Sequence, residues 1–141
     1  MIIRAIENSI LHAVRRRWAK TYWAFDVHGT MIRPNYKTNE MSTEFYPYAV
    51  DVMQALSKRT DIVRILYTCS YPHEIVQYME NFKAHDIHFD YVNSNPEITD
   101  GGYGYYNDKF YFNVLFEDKA GFDGETDWLL VKKWMEEKGM M

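Results

Sequence analysis

The chain has 141 residues, enough for one domain with a real core and too few for a second independent one. Its formal net charge of -4 gives no bulk attraction to polyanions, so a nucleic-acid partner, though not excluded, would need a local basic patch. The single cysteine, Cys69, excludes an intrachain disulfide and fits a reducing, cytoplasmic compartment; no apolar run approaches the roughly 20 residues that span a bilayer, and the N-terminus lacks the apolar core of a secretory signal.

Residues Ile2 to Trp18 place Ile3, Ile6, Ile10, Val14 and Trp18 at steps of three or four. That spacing predicts an amphipathic helix packed on the core. Its Arg15-Arg16-Arg17 run reads as a solvated helix end that complements the dipole, with an anionic-ligand patch as the alternative. Glu7 and the lack of a serine-rich bias argue against a transit peptide. The run Tyr22-Trp23-Ala24-Phe25 is short, aromatic and uninterrupted, as a strand buried on both faces of a parallel sheet should be. It stops at Asp26, with Gly29 and the Thr30 hydroxyl close behind. Open α/β sheets bind their ligands there, outside the carboxyl ends of the strands, so Asp26 is the expected reactive or metal-binding centre. Arg33 to Thr43, with Pro34, two asparagines and Lys37, reads as a loop passing over that site.

Pro47 suits the first turn of a helix whose apolar face is Ala49, Val50, Met53 and Leu56. Ile62 to Tyr67 is β-branched and apolar, a second strand that delivers Thr68, Cys69 and Ser70 to its carboxyl end. Pro72 opens a helix with Ile75, Val76, Met79 and Phe82 on one side, so Thr68 to Tyr71 form a turn at a helix N-terminus, where free amides and the dipole favour an anion. Ile87 to Val92 is a third strand of less regular patterning. Asn93 to Asp108, rich in Asn, Gly and Tyr, reads as a hairpin or flap whose tyrosines pack back on the domain or stack on a base or sugar. Lys109 precedes a fourth strand, Phe110 to Phe116, which ends in Glu117-Asp118 with Asp123 soon after. Trp128, Leu129, Val131, Lys132 and Met135 belong to a closing helix that stops before Gly139. Strands alternating with helices over short links predict a single domain over 1–141. Its architecture is a doubly wound, Rossmann-like parallel sheet with helices on both faces, and an extra N-terminal helix lies within residues 1–20.

If the first and last strands are neighbours in that sheet, Asp26 and Glu117-Asp118 converge. Oxygen-only clusters suit a hard divalent cation, and magnesium takes one or two carboxylates together with water and substrate phosphate. Thr68 and Lys109 could then supply a donor and a positive charge to a phosphate. Positioning and charge neutralisation are most of what phosphoryl transfer needs, and a carboxylate can itself be the nucleophile. The plain alternative for each acid is a solvated loop residue.

These residues carry a family resemblance. Phe25-Asp26-Val27-His28-Gly29-Thr30-Met31 resembles the first motif of the haloacid dehalogenase-like (HAD) hydrolases, an apolar strand followed by Asp-x-Asp-Gly-Thr. Ile65-Leu66-Tyr67-Thr68 is similar to the second motif, Lys109 to the third, and Val114-Leu115-Phe116-Glu117-Asp118 to the fourth. The resemblance spans roughly Tyr22 to Trp134 and leaves no room for a large cap domain, so a small capless member is implied. It implies a magnesium-dependent phosphatase acting on a phosphorylated small molecule or macromolecule. Asp26 would be nucleophile and metal ligand, the His28 backbone carbonyl a second ligand and Glu117 or Asp118 a third. Thr68 would bind the phosphate, with Thr30 and the Cys69 amide beside it, and Lys109 would hold the charges together.

Two departures from the pattern bear on activity. His28 stands where the family's phosphatases carry the aspartate that serves as general acid and base, and Glu117 replaces the first aspartate of the paired acids. Imidazole titrates near neutrality and is competent for proton transfer; the alternative is a weakened site that binds a phosphorylated ligand or a protein partner without turnover. His85 and His88 lack a third ligand for zinc, and no G-x-G-x-x-G follows any strand, which disfavours a dinucleotide site.

Overall fold

A computed structural model describes residues 1–35, 41–99 and 104–141. Lys37 of the polar stretch and Gly101, Gly102 and Tyr103 of the Gly/Tyr segment lie outside the described residues. Four parallel strands, β1 (Thr21–Phe25), β2 (Ile62–Leu66), β3 (Tyr91–Val92) and β4 (Val114–Phe116), form one sheet in the order β3-β2-β1-β4. Every residue of β1 and of β2 is buried, which explains their near-continuous apolar sequence. β2 and β3 extend the sheet on one side of β1 and β4 on the other, so the strand order reverses between β1 and β4. That reversal opens a crevice beyond their carboxyl ends.

Four helices accompany the strands: α1 (Ile2–Arg16), α2 (Ala49–Ser57), α3 (Pro72–Ala84) and α4 (Asp127–Glu137). Their buried residues join Trp23, Phe25, Ile62, Leu66, Val114 and Phe116 in one core. The other face of the sheet shows Tyr22, Val63 and Ile65, and packed on these are Tyr91, Ile98, Phe110 and Tyr111. The expected parallel α/β sheet is therefore present, but aromatic side chains of the β3–β4 connection cover the face where a second layer of helix was expected. The connection lacks a 3.6-residue apolar period and cannot offer a helical stripe. Among the described residues, no helix is long and apolar enough to cross a membrane.

Several boundaries moved for local reasons. α1 stops at Arg16 because Arg17 turns left-handed (φ 57°) and the Trp18 amide donates back to Ala13 O. Its buried stripe is Ile2, Ile6, Ser9 and Ala13, so Val14 faces solvent. Pro47 precedes α2 by a turn instead of lying within it. The third strand keeps two of its expected residues, because the Asp90 carboxylate accepts from the Arg64 amide and replaces a main-chain partner. The fourth is shortened in the same way, since the Tyr22 amide donates to Asn113 Oδ1 at 2.8 Å.

Arg64, in the middle of β2, is 5% exposed. Its Nη1 donates to the carbonyls of Leu56, Arg59 and Ile62, its Nε to that of His88, and its Nη2 lies 3.4 Å from Asp90. One cation thereby holds the α2–β2 turn to the approach of β3, and the carbonyls offset its desolvation.

Candidate functional site

The site rests on an aromatic floor. Phe25 and Phe116, the last residues of β1 and β4, stack with centroids 4.5 Å apart, and Phe116 stacks on Trp128 of α4 at 5.6 Å. Paired in register, these strand ends carry Asp26 and Glu117 to the same edge of the sheet, and Asp118 follows in a short 3-10 turn (Asp118–Ala120). Ligand oxygens of Asp26, Glu117 and Asp118 all lie within 4.8 Å of one another.

Thr30 holds this arrangement in place. Its hydroxyl donates to Asp26 Oδ2 at 3.1 Å and accepts from the Asp118 amide at 3.0 Å, while its carbonyl accepts from the Trp128 indole at 2.7 Å. Thr30 is wholly buried, so it cannot touch substrate. The expectation that it binds substrate is corrected to a positioning role, for which a side chain that bonds both acids must lie beneath them.

Burial raises the Asp26 carboxyl, the Thr30 hydrogen bond opposes that, and the Glu117 and Asp118 charges raise it further, to about 6. Glu117 is raised by burial and by its hydrogen bond with Asp118. Three carboxylates crowded in this way repel one another, and a cation would relieve the repulsion. The donor set fits a hard divalent cation: oxygens only, with the His28 carbonyl accepting no hydrogen bond among the described residues. Close packing adds to the fit, because the Asp118 carboxylate occupies the space a Cβ on Gly29 would need.

A cavity of about 690 Å³ opens over the cluster. Asp26, His28, Thr68, Cys69, Glu117 and Asp118 line it, and so do Tyr67, Glu74, Tyr78, Asn93 and Lys119. Lys109 does not. It is exposed, its ammonium 6.0 Å from the Phe112 ring centroid, because the neighbouring Phe110 packs inward against Tyr67. Among the described residues, Lys119, one residue past the paired acids, is the lysine on the cavity wall.

The turn after β2 is less open to an anion than its position suggests. The Thr68 amide donates to Asn93 Oδ1, the Ser70 amide to Thr68 Oγ1 and the Tyr71 amide to the Glu74 carboxylate. The Cys69 amide has no acceptor among the described residues. An anion would thus meet that amide and the Thr68 and Ser70 hydroxyls, which lie 2.8 Å apart. Asn93, missed in the sequence, clamps Thr68 from both sides, its Nδ2 donating to Thr68 O at 2.7 Å. Its signal was an Asn just past a strand end, a residue type that tolerates the left-handed backbone found there (φ 51°).

His28 points at α3, where its Nε2 is hydrogen-bonded to the Tyr78 hydroxyl. Burial lowers its basicity and the Glu74 carboxylate opposes that shift. Asp123 lies outside the cavity lining and the acidic cluster: its side chain accepts from the Glu125 amide and its carbonyl starts α4. His85 packs on Phe45 and bonds the Asn81 carbonyl, while His88 is exposed, so neither joins a metal cluster among the described residues. Arg15 and Arg16 are exposed, as a solvated helix end would be.

Neither a protein-family model nor a curated protein sequence matches the chain. Among solved structures it is similar to a conserved protein of Bacteroides thetaiotaomicron, with a TM-score of 0.64 and 19% identity over 84% of this chain and 92% of that one. At such identity the likeness speaks for the fold alone, and the fold is a Rossmann-like parallel α/β sheet.

Proposed function

We propose that this chain is a magnesium-dependent phosphomonoester hydrolase that works through an aspartyl-phosphate on Asp26. The observation that carries the reading is the convergence of Asp26, Glu117 and Asp118 within 4.8 Å at the point where the strand order reverses. The resemblance of the first, second and fourth motifs to those of HAD hydrolases adds to it. Asp26, Glu117 or Asp118, and the His28 carbonyl would hold the magnesium, which when bound neutralises phosphate oxygens beside the carboxylates.

In the first half-reaction an Asp26 oxygen attacks phosphorus, the ester P–O bond breaks, and the leaving oxygen takes a proton from His28. In the second, water attacks the aspartyl-phosphate phosphorus and gives its proton back to His28, releasing inorganic phosphate and restoring the carboxylate. Thr68, Ser70 and the Cys69 amide bind the phosphoryl oxygens, and Lys119 supplies positive charge from the cavity wall. Thr30 fixes the attacking carboxylate. A panel of phosphomonoesters assayed with and without magnesium tests the proposal: magnesium-dependent phosphate release that Asp26→Asn abolishes is expected, and its absence on every ester refutes it.

A second reading, ligand binding without turnover, draws on one observation. The His28 Nε2 is already engaged by Tyr78, which leaves Nδ1 alone for proton transfer. Under that reading the wild type binds phosphomonoesters but does not hydrolyse them.

A further inference from the structure

The cavity is far larger than a phosphoryl group requires, since about 690 Å³ falls within the ~300–1,000 Å³ of sites that enclose a whole organic ligand. What lies beside the phosphate end therefore reports on the rest of the substrate. Tyr67, the residue immediately before Thr68, lines the cavity and keeps 39% of its surface exposed. Its ring is braced from behind by Phe110 at 6.0 Å and Phe112 at 6.4 Å, which meet edge to face at 5.7 Å. Lys109 lies over Phe112 beyond them. On the other side of Cys69, Tyr71 is 71% exposed and stacks on His73.

An exposed ring on a residue of the cavity wall, packed against two other rings, offers a stacking platform: a planar ligand gains dispersion contact there with little ordering of a flexible side chain. Tyr67 and Thr68 line the same cavity, so a flat group on the one and a phosphate on the other can belong to one molecule. Ser42 on the cavity wall adds hydroxyl chemistry suited to sugar hydroxyls and base edges. A simple aryl phosphate would leave that hydroxyl unused.

Resting on the phosphatase reading, we infer that the substrate is a nucleoside monophosphate, its base on Tyr67 and its phosphate at Thr68. Tyr67 is then a specificity residue, in contact with the base and not with the reacting phosphoryl group.

The test compares kcat/KM for adenosine and uridine 5′-monophosphates, ribose 5-phosphate and phosphotyrosine, in magnesium, for wild type, Tyr67→Ala and Tyr67→Phe. Wild type should favour the nucleotides over ribose 5-phosphate by about tenfold or more, the usual scale of base stacking on an aromatic ring. Tyr67→Phe should keep that preference and Tyr67→Ala should erase it, mainly through KM. Equal rates on nucleotide and ribose 5-phosphate, a preference for phosphotyrosine, or a preference that survives Tyr67→Ala would overturn the inference while leaving the phosphatase reading intact. If no ester is hydrolysed, the phosphatase reading falls by itself. Calorimetric binding of adenosine 5′-monophosphate against ribose 5-phosphate then decides the inference, with the same preference and the same loss in Tyr67→Ala expected. Unfolding curves of each variant confirm that the fold is intact.

Discussion

Gly29 and Asp118 are in close packing: a Cβ on Gly29 would stand 2.5 Å from Asp118 Oδ2, and the Gly29 backbone is left-handed at φ +79°. The glycine is required twice, once for its backbone and once for the carboxylate beside it. Gly29→Ala should lower the Tm of the metal-free protein by roughly 2 to 8 °C, from about 1 to 2 kcal/mol of left-handed strain. The larger effect should be functional, because Asp118 must move. Most of the magnesium-induced rise in Tm should disappear, as scanning calorimetry with and without the ion would show; a full rise retained in the variant would separate Asp118 from metal binding.

Asp26 gives a pH test with a defined sign. Its folded-state carboxyl titrates near 6 against an ordinary 3.8, so the folded protein holds that proton more tightly than the unfolded chain does. The resulting stability is complete below about 3.8 and is lost as pH rises through about 6. Metal-free Asp26→Asn, which has no carboxyl to titrate, should therefore melt above the wild type at pH 8, and the gap should shrink as pH falls from 7 to 4. Magnesium should reverse the order at pH 8 by binding the wild type preferentially. A gap independent of pH would mean that Asp26 is not under electrostatic pressure.

His28 separates turnover from binding. If it carries the proton, His28→Ala should lower kcat by about two to four orders of magnitude and leave ligand affinity largely intact. If the site only binds, the wild type should be nearly inactive and His28→Asp should create or raise activity. A wild type that turns over well and is indifferent to His28→Ala would remove His28 from the mechanism.

Arg64 offers a test of the scaffold away from the site. Arg64→Met should leave four carbonyls without their guanidinium donor, at a loss of about 3 kcal/mol or more in denaturant unfolding. Arg64→Lys should recover little, since a compact ammonium cannot span carbonyls that lie on several sides of a planar fork. Near-wild-type stability in the methionine variant would show that the carbonyls find other partners.

How much of this was legible in the chain follows from the range of the forces involved. Strands β1 and β2, helix α3 and the position of Asp26 and Glu117-Asp118 at strand ends could be read because they depend on local apolar period and on residues that end a buried run; that these acids converge follows only from the pairing of β1 with β4. The short β3 and β4 could not, since side chains of Asp90 and Asn113 take the place of main-chain partners across the sheet. Thr30 was recognised as part of the site, but its role beneath the acids depends on a bond to the Asp118 amide 88 residues away. Lys109 and Lys119 are equally basic in sequence, and aromatic packing of Phe110 on Tyr67 decides which of them lines the cavity. Asn93, Tyr78 and the Tyr67 platform likewise gain meaning only when the turn after β2, the end of β3 and α3 are brought together. Local pattern reports which elements form; contacts between residues distant in sequence, which no period encodes, set which side chains share a cavity.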